Sequence, residues 1–560
     1  MKDFPTLKAL ILIALLFACN SGNKNQELKE VDELQLKQGE IVSCGSQDKE
    51  FGVVNFTMAC NDQMKGNFNI ALELLHSFEY DESEKAFAKI IHQSPACAMA
   101  YWGIAMCSFH PLWEPPTESD LKKGSKAIEI ATSIRNKSDK EEAYIAAVDA
   151  YYHDWSTTDH KTRSINFEKA MEQLYQRYPD DHEAAIVYAL SLVGAANPSD
   201  KTYAKQKKAG ELLNALYAQA PNHPGIIHYL IHAYDYPNIA TLGLPAARRY
   251  ADVAPSSAHA LHMPSHIFTR LGFWDDCINS NTSSVSAAKC YAEAAGINGH
   301  WDEELHGIDY IVYAHLQKAE NKQAQQQWDY LKTIREVYPI NFKVAYAFAA
   351  IPSRYVLENK MWKEAAQLTI SPSDFPWEKF QWQKAIFHFT NLLGFVHTDD
   401  LKDANFALTE LKNIHENLLK QKDSYKATQV MIQINTGQAW IAWKSGKNNE
   451  AVRLMQEAAD LEDGTEKHPV TPGPVIPARE LLGDLLMEMN NPSEALLAYE
   501  SDLNTQPNRF NGLYGAAMAS KKNNDMAKAT LYFQQLMALA NSKDANRPEL
   551  LEARAFLKKK

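Results

Sequence analysis

The sequence is poor in several features that would point to common classes of protein. Its seven cysteines include no Cys-x-x-Cys pair, so a zinc ribbon or a thioredoxin-type site is not expected. The net charge of −12 argues against a nucleic-acid partner, because phosphate binding requires a basic surface. No His-Glu-x-x-His, Ser-His-Asp order or phosphate-binding glycine loop occurs, and strand-like alternation is almost absent. These absences favour an all-α protein without a compact catalytic motif.

The beginning of the chain has the pattern of a lipoprotein signal peptide. An apolar run at residues 9–18 follows Lys2 and Lys8 and is too short to cross a bilayer as a helix. The sequence "LFAC" at residues 16–19 resembles a bacterial lipobox, which would make Cys19 the lipidated first residue of the mature protein. The alternative is an ordinary signal peptide with a chance cysteine. The lipobox pattern predicts a signal peptide at residues 1–18 and membrane attachment through a lipid anchor.

Residues 19–43 are polar and lack apolar periodicity, which predicts a flexible tether. Asn20 and Ser21 supply no acidic residue of the kind that suggests inner-membrane retention. We therefore expect the protein in the cell envelope, at the outer membrane of a Gram-negative bacterium. Because an oxidising envelope permits disulfides, Cys44 and Cys60 are candidates to close a short loop.

A repeat is visible most clearly near the C-terminus. Ala495 and Tyr499 are followed 34 residues later by Ala529 and Phe533, which is the period of the tetratricopeptide repeat (TPR). Small residues let two antiparallel helices approach closely, and each pair leaves an apolar flank that the next pair covers. The alternative is a generic helical bundle. The recurrence predicts an all-α, TPR-like α-solenoid of stacked antiparallel helix pairs over residues 44–560.

Several phrases extend this likeness beyond the repeat. They are "SCGSQDKEFGVVNFTMAC", "ACAMAYWGIAM", "HPLWEPP", "HMPSHIFTRLGFWDD" and "VIPARELLGDLL". Together they resemble a family of uncharacterised bacterial TPR lipoproteins and envelope proteins, over nearly the whole mature chain. The resemblance implies binding of a protein or peptide in a concave groove, and it implies no particular reaction.

Histidine and aspartate recur on one face of three successive first helices of the predicted repeats. At about 100° per residue, each set falls on the side opposite the packing face, which would line the groove. The sets are His228, His232 and Asp235; His259, His262 and His266; and His306 with Asp309. Because neighbouring helices lie about 10 Å apart, the three sets are expected to converge.

Imidazole and carboxylate are ligands of divalent transition metals such as zinc, copper, nickel or iron. The convergence therefore predicts a candidate metal site in the groove, and the other interpretation is a polar groove whose histidines hydrogen-bond to one another, to the backbone and to water. Both interpretations leave a protein, a peptide or a polar ligand as the partner.

A metal-dependent hydrolase or oxidoreductase on the same scaffold is the alternative function, with Asp235, Asp309 or Glu480 as base. The proline-rich segment at residues 464–477 either folds over the groove and brings His468 and Glu480 near, or is a surface insertion. His76 is expected to be a hydrogen-bonded structural histidine.

Overall fold

Helices make up nearly all the regular structure of the computed structural model, which describes residues 31–45, 50–60, 62–112 and 115–558. The predicted signal peptide, the predicted lipidation site Cys19 and the first part of the predicted tether lie outside the described residues. Within the described part of the chain, no helix is long and apolar enough to cross a membrane.

The chain divides into two compact units, of which the first comprises Phe51–Ala195, His223–Gly225 and the described residues up to Ile41. After a short 3-10 helix at Asp62–Met64, its helices follow one another in pairs. They are α1 Lys65–His76, α2 Tyr80–Gln93, α3 Ala98–Cys107, α4 Glu118–Ser133, α5 Asp139–Tyr152, α6 His160–Arg177 and α7 His182–Gly194.

The second unit comprises Val42–Glu50, Ala196–Asn222 and Ile226–Lys560. It holds a 3-10 helix at Trp377–Lys379 and two short parallel strands, β1 His300–Trp301 and β2 Val337–Tyr338. Its helices are α8 Ala204–Tyr217, α9 Pro224–Tyr234 (from Ile226 onward), α10 Ala240–Val253, α11 Ala258–His262, α12 Pro264–Leu271, α13 Trp274–Ala294, α14 Asp302–Gln317, α15 Asn321–Leu331, α16 Phe342–Glu358, α17 Trp362–Ala366, α18 Gln381–His397, α19 Leu401–Lys420, α20 Ser424–Lys444, α21 Asn448–Asp463, α22 Ala478–Glu488, α23 Pro492–Thr505, α24 Phe510–Lys522, α25 Met526–Leu539 and α26 Glu549–Lys558.

The packing of these helices confirms the predicted all-α, TPR-like fold. Tyr499 of α23 lies against Gly483 of α22 and Gly515 of α24, and a Cβ atom at Gly483 would come within 2.6 Å of the tyrosine ring. Ala529 and Phe533, one repeat later, are completely buried. Small residues thus admit an aromatic ring between adjacent helices, as the sequence spacing requires.

Two disulfides join residues that the sequence did not pair. Cys44 is bonded to Cys290 of α13, and Cys60 to Cys97 at the start of α3. The predicted Cys44–Cys60 loop is therefore wrong. Segment 42–45 packs on α11 and α13, since the Cys44 amide donates to the carbonyl oxygen of Ser256 and its side chain joins the cluster formed with Ala258 and Ala288. Cys44 is thereby held beside Cys290, with a Cα–Cα distance of 5.8 Å.

Because Ala495 is closely packed, a larger side chain at this position should destabilise the fold. Ala495 is completely buried in α23, so Ala495→Trp should lower the free energy of unfolding by about 1–3 kcal/mol. Hydrogen exchange should show loosening chiefly in α22 to α24, because repeats couple to their nearest neighbours. Leu497→Trp is the matched control, since Leu497 on the same helix is 60% exposed. Equal loosening throughout the unit would contradict nearest-neighbour coupling.

A half-buried histidine in α18, His397, predicts a pH dependence of stability. The ring of His397 stacks on Trp362, with centroids 3.9 Å apart, and lies tilted against Trp440, with centroids 4.5 Å apart. Burial lowers the pKa of His397 to about 4, whereas an unfolded histidine titrates near 6.5. The unfolded chain therefore binds this proton first, and stability is lost as the pH falls from about 6.5 to about 4, by up to about 3 kcal/mol.

Urea denaturation of the wild type and of His397→Phe, at neutral pH and again near pH 5, measures this contribution. The wild type should lose more stability on acidification than the variant. Parallel pH profiles would contradict the prediction.

Candidate metal centre

The structure brings six of the predicted histidines together inside the second unit. They lie on α9, α11, α12 and α14. The side chains are His228, His232, His259, His262, His266 and His306, and each is at most 7% exposed. The predicted convergence is therefore present. The six side chains do not line an exposed surface, because they are buried and segment 464–477 lies against this part of the unit.

The first group joins α9 to α11. Nε2 of His228 lies 3.0 Å from Nε2 of His232 and 3.3 Å from Nε2 of His259. One possible ligand atom from each of these residues lies within 4.8 Å of the other two. We call these three residues triad A.

The second group joins α11, α12 and α14. Nε2 of His262 lies 3.1 Å from Nε2 of His266, and the rings of His262 and His306 have centroids 4.2 Å apart. These three residues, which also place one ligand atom each within 4.8 Å of the others, are triad B. The histidines of "HALHMPSH" are thus divided between two groups, with His259 in triad A and the other two in triad B.

The two triads are neighbours. Ring centroids of His232 and His266 are 6.2 Å apart, and those of His259 and His262 are 6.3 Å apart. His259 and His262 are three residues apart on one helix and belong to different triads. Helical periodicity therefore holds both groups at a short separation.

Hydrogen bonds to the other ring nitrogens determine the tautomers in triad B. Nδ1 of His262 lies 2.6 Å from Oδ1 of Asn281, whose Nδ2 donates to the carbonyl oxygen of Cys277. Nδ1 of His266 lies 3.0 Å from Oδ2 of Asp235. Because an amide oxygen and a carboxylate only accept, both Nδ1 atoms carry the proton. In the neutral rings, both Nε2 lone pairs face each other across 3.1 Å.

The surroundings keep these imidazoles neutral. Burial holds the pKa of His262 well below its usual value, and the neighbouring His266 lowers it further. Burial likewise lowers the pKa of His266, against the opposite effect of Asp235. A neutral imidazole with a directed Nε2 lone pair is the form that binds a metal ion.

Asp235 lies beside the triads rather than within them. Besides His266, its carboxylate accepts from Nε of Arg270 at 2.8 Å and from Nζ of Lys467 at 2.9 Å. Burial would raise the pKa of Asp235, but Lys467, Arg270 and His266 together hold it well below its usual value. Carboxylates that accept from the distal nitrogen of a metal-binding histidine orient the ring and raise its basicity. Asp235 accepts from Nδ1 of His266 in this way.

Asp309, the other predicted carboxylate, is directed toward a different partner. It forms an ion pair with the buried Arg354 and belongs to neither triad. Burial raises the pKa of Asp309 to about 6, although Arg354 opposes the shift. Glu303, which the sequence did not single out, lies nearer: its Oε1 is 3.9 Å from Nδ1 of His259.

Segment 464–477 folds onto this part of the unit and is not a surface insertion. Lys467 reaches Asp235, and the hydroxyl of Tyr310 donates to the carbonyl oxygen of Val470 at 3.1 Å. His468 stacks on Phe342 instead, with ring centroids 4.1 Å apart. Glu480 accepts from Nε of Arg509 at 2.9 Å and lies in a separate charge cluster.

A third group lies in the first unit. His76 and His223 both bond to the carboxylate of Glu183 through Nε2, at 2.5 and 3.2 Å. Here the carboxylate accepts from both rings, while Nδ1 of His223 is buried without a hydrogen-bond partner among the described residues. His76 is hydrogen-bonded, as expected, and the three residues could also hold a metal ion. Convergence with His223 was not predicted, because nothing in the sequence relates residues so far apart.

Comparisons with known proteins add little to this description. No family model matches the chain, and no curated protein matches it in sequence. Among solved structures, one similar chain comes from Naa15/Naa10 bound to HypK-THB, with 11% sequence identity and a TM-score of 0.25. The alignment covers 89% of this chain and 96% of the Naa15/Naa10 chain. Another comes from the human IFIT1 dimer with PPP-AAAA, with 11% sequence identity and a TM-score of 0.35. That alignment covers 85% of this chain and 90% of the IFIT1 chain.

The helix pairs described above define the class of protein. The chain is an all-α protein with a TPR-like α-solenoid fold, and its second unit holds two adjacent groups of three buried histidines that could hold metal ions.

Proposed function

We propose that this chain is a metal-binding protein that holds two transition-metal ions, one in each histidine triad, inside a TPR-like scaffold. The observation that carries the proposal is the pair of Nε2 atoms of His262 and His266. Both rings use their Nδ1 protons elsewhere, so two lone pairs meet at 3.1 Å in a buried place. Two facing lone pairs repel each other, and a cation bound between them would be coordinated by both nitrogens.

The donor set restricts the metal. Both triads offer nitrogen ligands, which suit copper, zinc, nickel and iron. Tetrahedral coordination with metal–nitrogen distances of about 2.0–2.1 Å separates neighbouring nitrogens by about 3.3–3.4 Å. The nitrogen distances of 3.0, 3.3 and 3.1 Å are close to this value. At nitrogen sites the divalent affinity order places copper first, so copper is our first candidate and zinc the second.

A metal-dependent enzyme, a hydrolase or an oxidoreductase, is a second candidate function. It is favoured by the three donors in each triad, because a tetrahedral ion then keeps one position for water or substrate. The predicted bases are less suitable, since Asp235 and Asp309 are paired with cations and Glu480 is paired with Arg509. The ion itself would then supply the Lewis acidity.

We also propose that the protein works in the cell envelope, attached to the outer membrane through lipidated Cys19. The two disulfides support an oxidising compartment, and the lipobox-like sequence supports the anchor. A TPR-like scaffold is compatible with binding a protein or peptide partner as well. Cys19→Ala should release the protein from the membrane fraction or block its processing, and a processed, membrane-bound variant would contradict the anchor.

Elemental analysis of the full chain, purified without added metal or chelator, tests the metal proposal. We expect two equivalents of transition metal per chain. His228→Ala with His232→Ala should leave about one equivalent, and His262→Ala with His266→Ala should also leave about one, because each pair removes two of three ligands.

His92→Ala is the control, since His92 is exposed on α2 in the first unit and should leave both ions in place. A folded wild type that neither carries metal nor takes up copper, zinc, nickel or iron would overturn the proposal. Loss of both ions from either double variant would show one shared centre instead of two.

A further inference from the structure

A cavity of about 350 Å³ lies in the second unit, and none of the six metal-site histidines lines it. It is enclosed by α16, α18 and α20 together with segment 464–477. Its size is at the lower end of the range for small-molecule pockets. Segment 464–477 lines this cavity and, through Lys467, also contacts Asp235 beside triad B.

The walls of the cavity are mainly aromatic. Tyr346, Trp382 and Tyr425 surround it, with the ring centroid of Trp382 at 5.7 Å from that of Tyr346 and 5.8 Å from that of Tyr425. The hydroxyls of the two tyrosines donate to the carbonyl oxygens of Gly473 and Glu466. Because these hydroxyls are engaged, the tyrosines offer their rings to a ligand.

Two buried polar side chains of α20 also line the cavity. Gln433 is 8% exposed and Thr436 is 1% exposed. Oε1 of Gln433 and Oγ1 of Thr436 have no hydrogen-bond partner among the described residues. The two residues are three positions apart and so share a helix face. Leaving such groups unpaired costs free energy that a hydrogen-bonding ligand recovers.

The charged groups of the lining are already compensated. Arg270 and Lys467 are paired with Asp235, and Lys201 is paired with Glu466. Burial raises the pKa of Glu462 to about 8, so this lining acid is mostly uncharged at neutral pH. Each of these cations already has a carboxylate partner, which reduces the advantage of an ionic ligand over a neutral one.

We infer that this cavity is a binding site for a neutral, hydroxyl-rich ligand of about one or two sugar rings. A hydroxyl both donates and accepts, so it can satisfy the amide of Gln433 and the hydroxyl of Thr436. The apolar C–H face of a sugar or polyol ring packs on aromatic walls, and Trp382 provides the central one.

Isothermal titration calorimetry of the full chain tests this inference with named probes. Glucose, N-acetylglucosamine, maltose and cellobiose are the neutral sugars, and glucuronic acid and glucosamine are the charged counterparts. At least one neutral sugar should bind in the millimolar range or tighter, and more tightly than either charged sugar. Binding should persist after chelator treatment, because the cavity contains none of the proposed metal ligands.

Variants locate the binding. Trp382→Ala and Thr436→Val should each weaken binding of the neutral sugar by about tenfold, the effect of losing roughly 1.4 kcal/mol. Thr409→Val, on an exposed face of α19, is the matched control and should bind as the wild type does. Circular dichroism checks that each variant is folded. No binding of any neutral sugar, tighter binding of a charged sugar, or unchanged binding by folded Trp382→Ala would overturn the inference.

Discussion

Removal of both proposed metal ions is expected to lower the free energy of unfolding by about 5 kcal/mol. This value applies to a comparison with protein whose free metal concentration is a hundredfold above the dissociation constant of each ion. In the proposed function each ion would bind the folded triad and hardly bind the unfolded chain, and one such ion would contribute about 2.7 kcal/mol. Without metal, the Nε2 lone pairs of His262 and His266 face each other in a buried place. Chemical denaturation of the purified, chelator-treated and reloaded protein measures the difference.

Variants assign the effect to the triads. His262→Ala should lose about half of the metal-dependent stabilisation, because only triad B is damaged. His92→Ala should behave as the wild type. The effect should also weaken on acidification, since a proton on Nε2 displaces the metal. Equal stability with and without metal, in a protein that demonstrably binds it, would contradict this expectation.

Arg509→Ala is expected to lower the free energy of unfolding by about 3–5 kcal/mol, the usual cost of removing one partner from a buried ion pair. Arg509 is completely buried in front of α24, where its guanidinium donates to Glu358 at 2.6 Å and to Glu480 at 2.9 Å. Asp502 lies 4.0 Å away. Without Arg509, three buried carboxyl groups lose their central positive charge, although Arg547 remains nearby. Urea denaturation at neutral pH measures the loss.

Arg453→Ala is the matched control for charge removal. Arg453 pairs with Glu457 four residues later on the exposed face of α21, where an ion pair contributes at most about 1 kcal/mol. Arg509→Lys should lower the free energy of unfolding by less than Arg509→Ala, because lysine keeps the positive charge. It should still have an effect, because lysine lacks the planar guanidinium group that bonds two carboxylates at once. A similar small effect at both arginines would contradict the role of the buried cluster.

Local rules account for the parts of the fold that the sequence predicts. Close contact between helices needs small residues at fixed spacings, and these spacings can be read from the sequence. The repeat is therefore visible in Ala495 and Tyr499 and again in Ala529 and Phe533. The same periodicity places His228 and His232 on one face of α9, whereas His262 and His266, also four residues apart, lie on the consecutive helices α11 and α12. These pairs span four residues, so no knowledge of the tertiary fold is needed.

Contacts between distant residues could not be predicted in this way. Cys44 bonds to Cys290 across 246 residues, and His76 meets Glu183 and His223. Glu480, a predicted base near the histidines, lies instead against Arg509. In each case the partner is chosen by how helices and segments pack, and local periodicity carries no information about that choice.

The sequence by itself determined that this chain builds helix pairs and that histidines share helix faces, because both follow from side-chain size and from about 3.6 residues per turn. Only the tertiary structure decided that six histidines divide into two buried triads, that Asp235 supports His266 while Asp309 turns to Arg354, and that segment 464–477 closes over this face. These outcomes depend on the distances between helices and on which polar groups find partners once water is excluded.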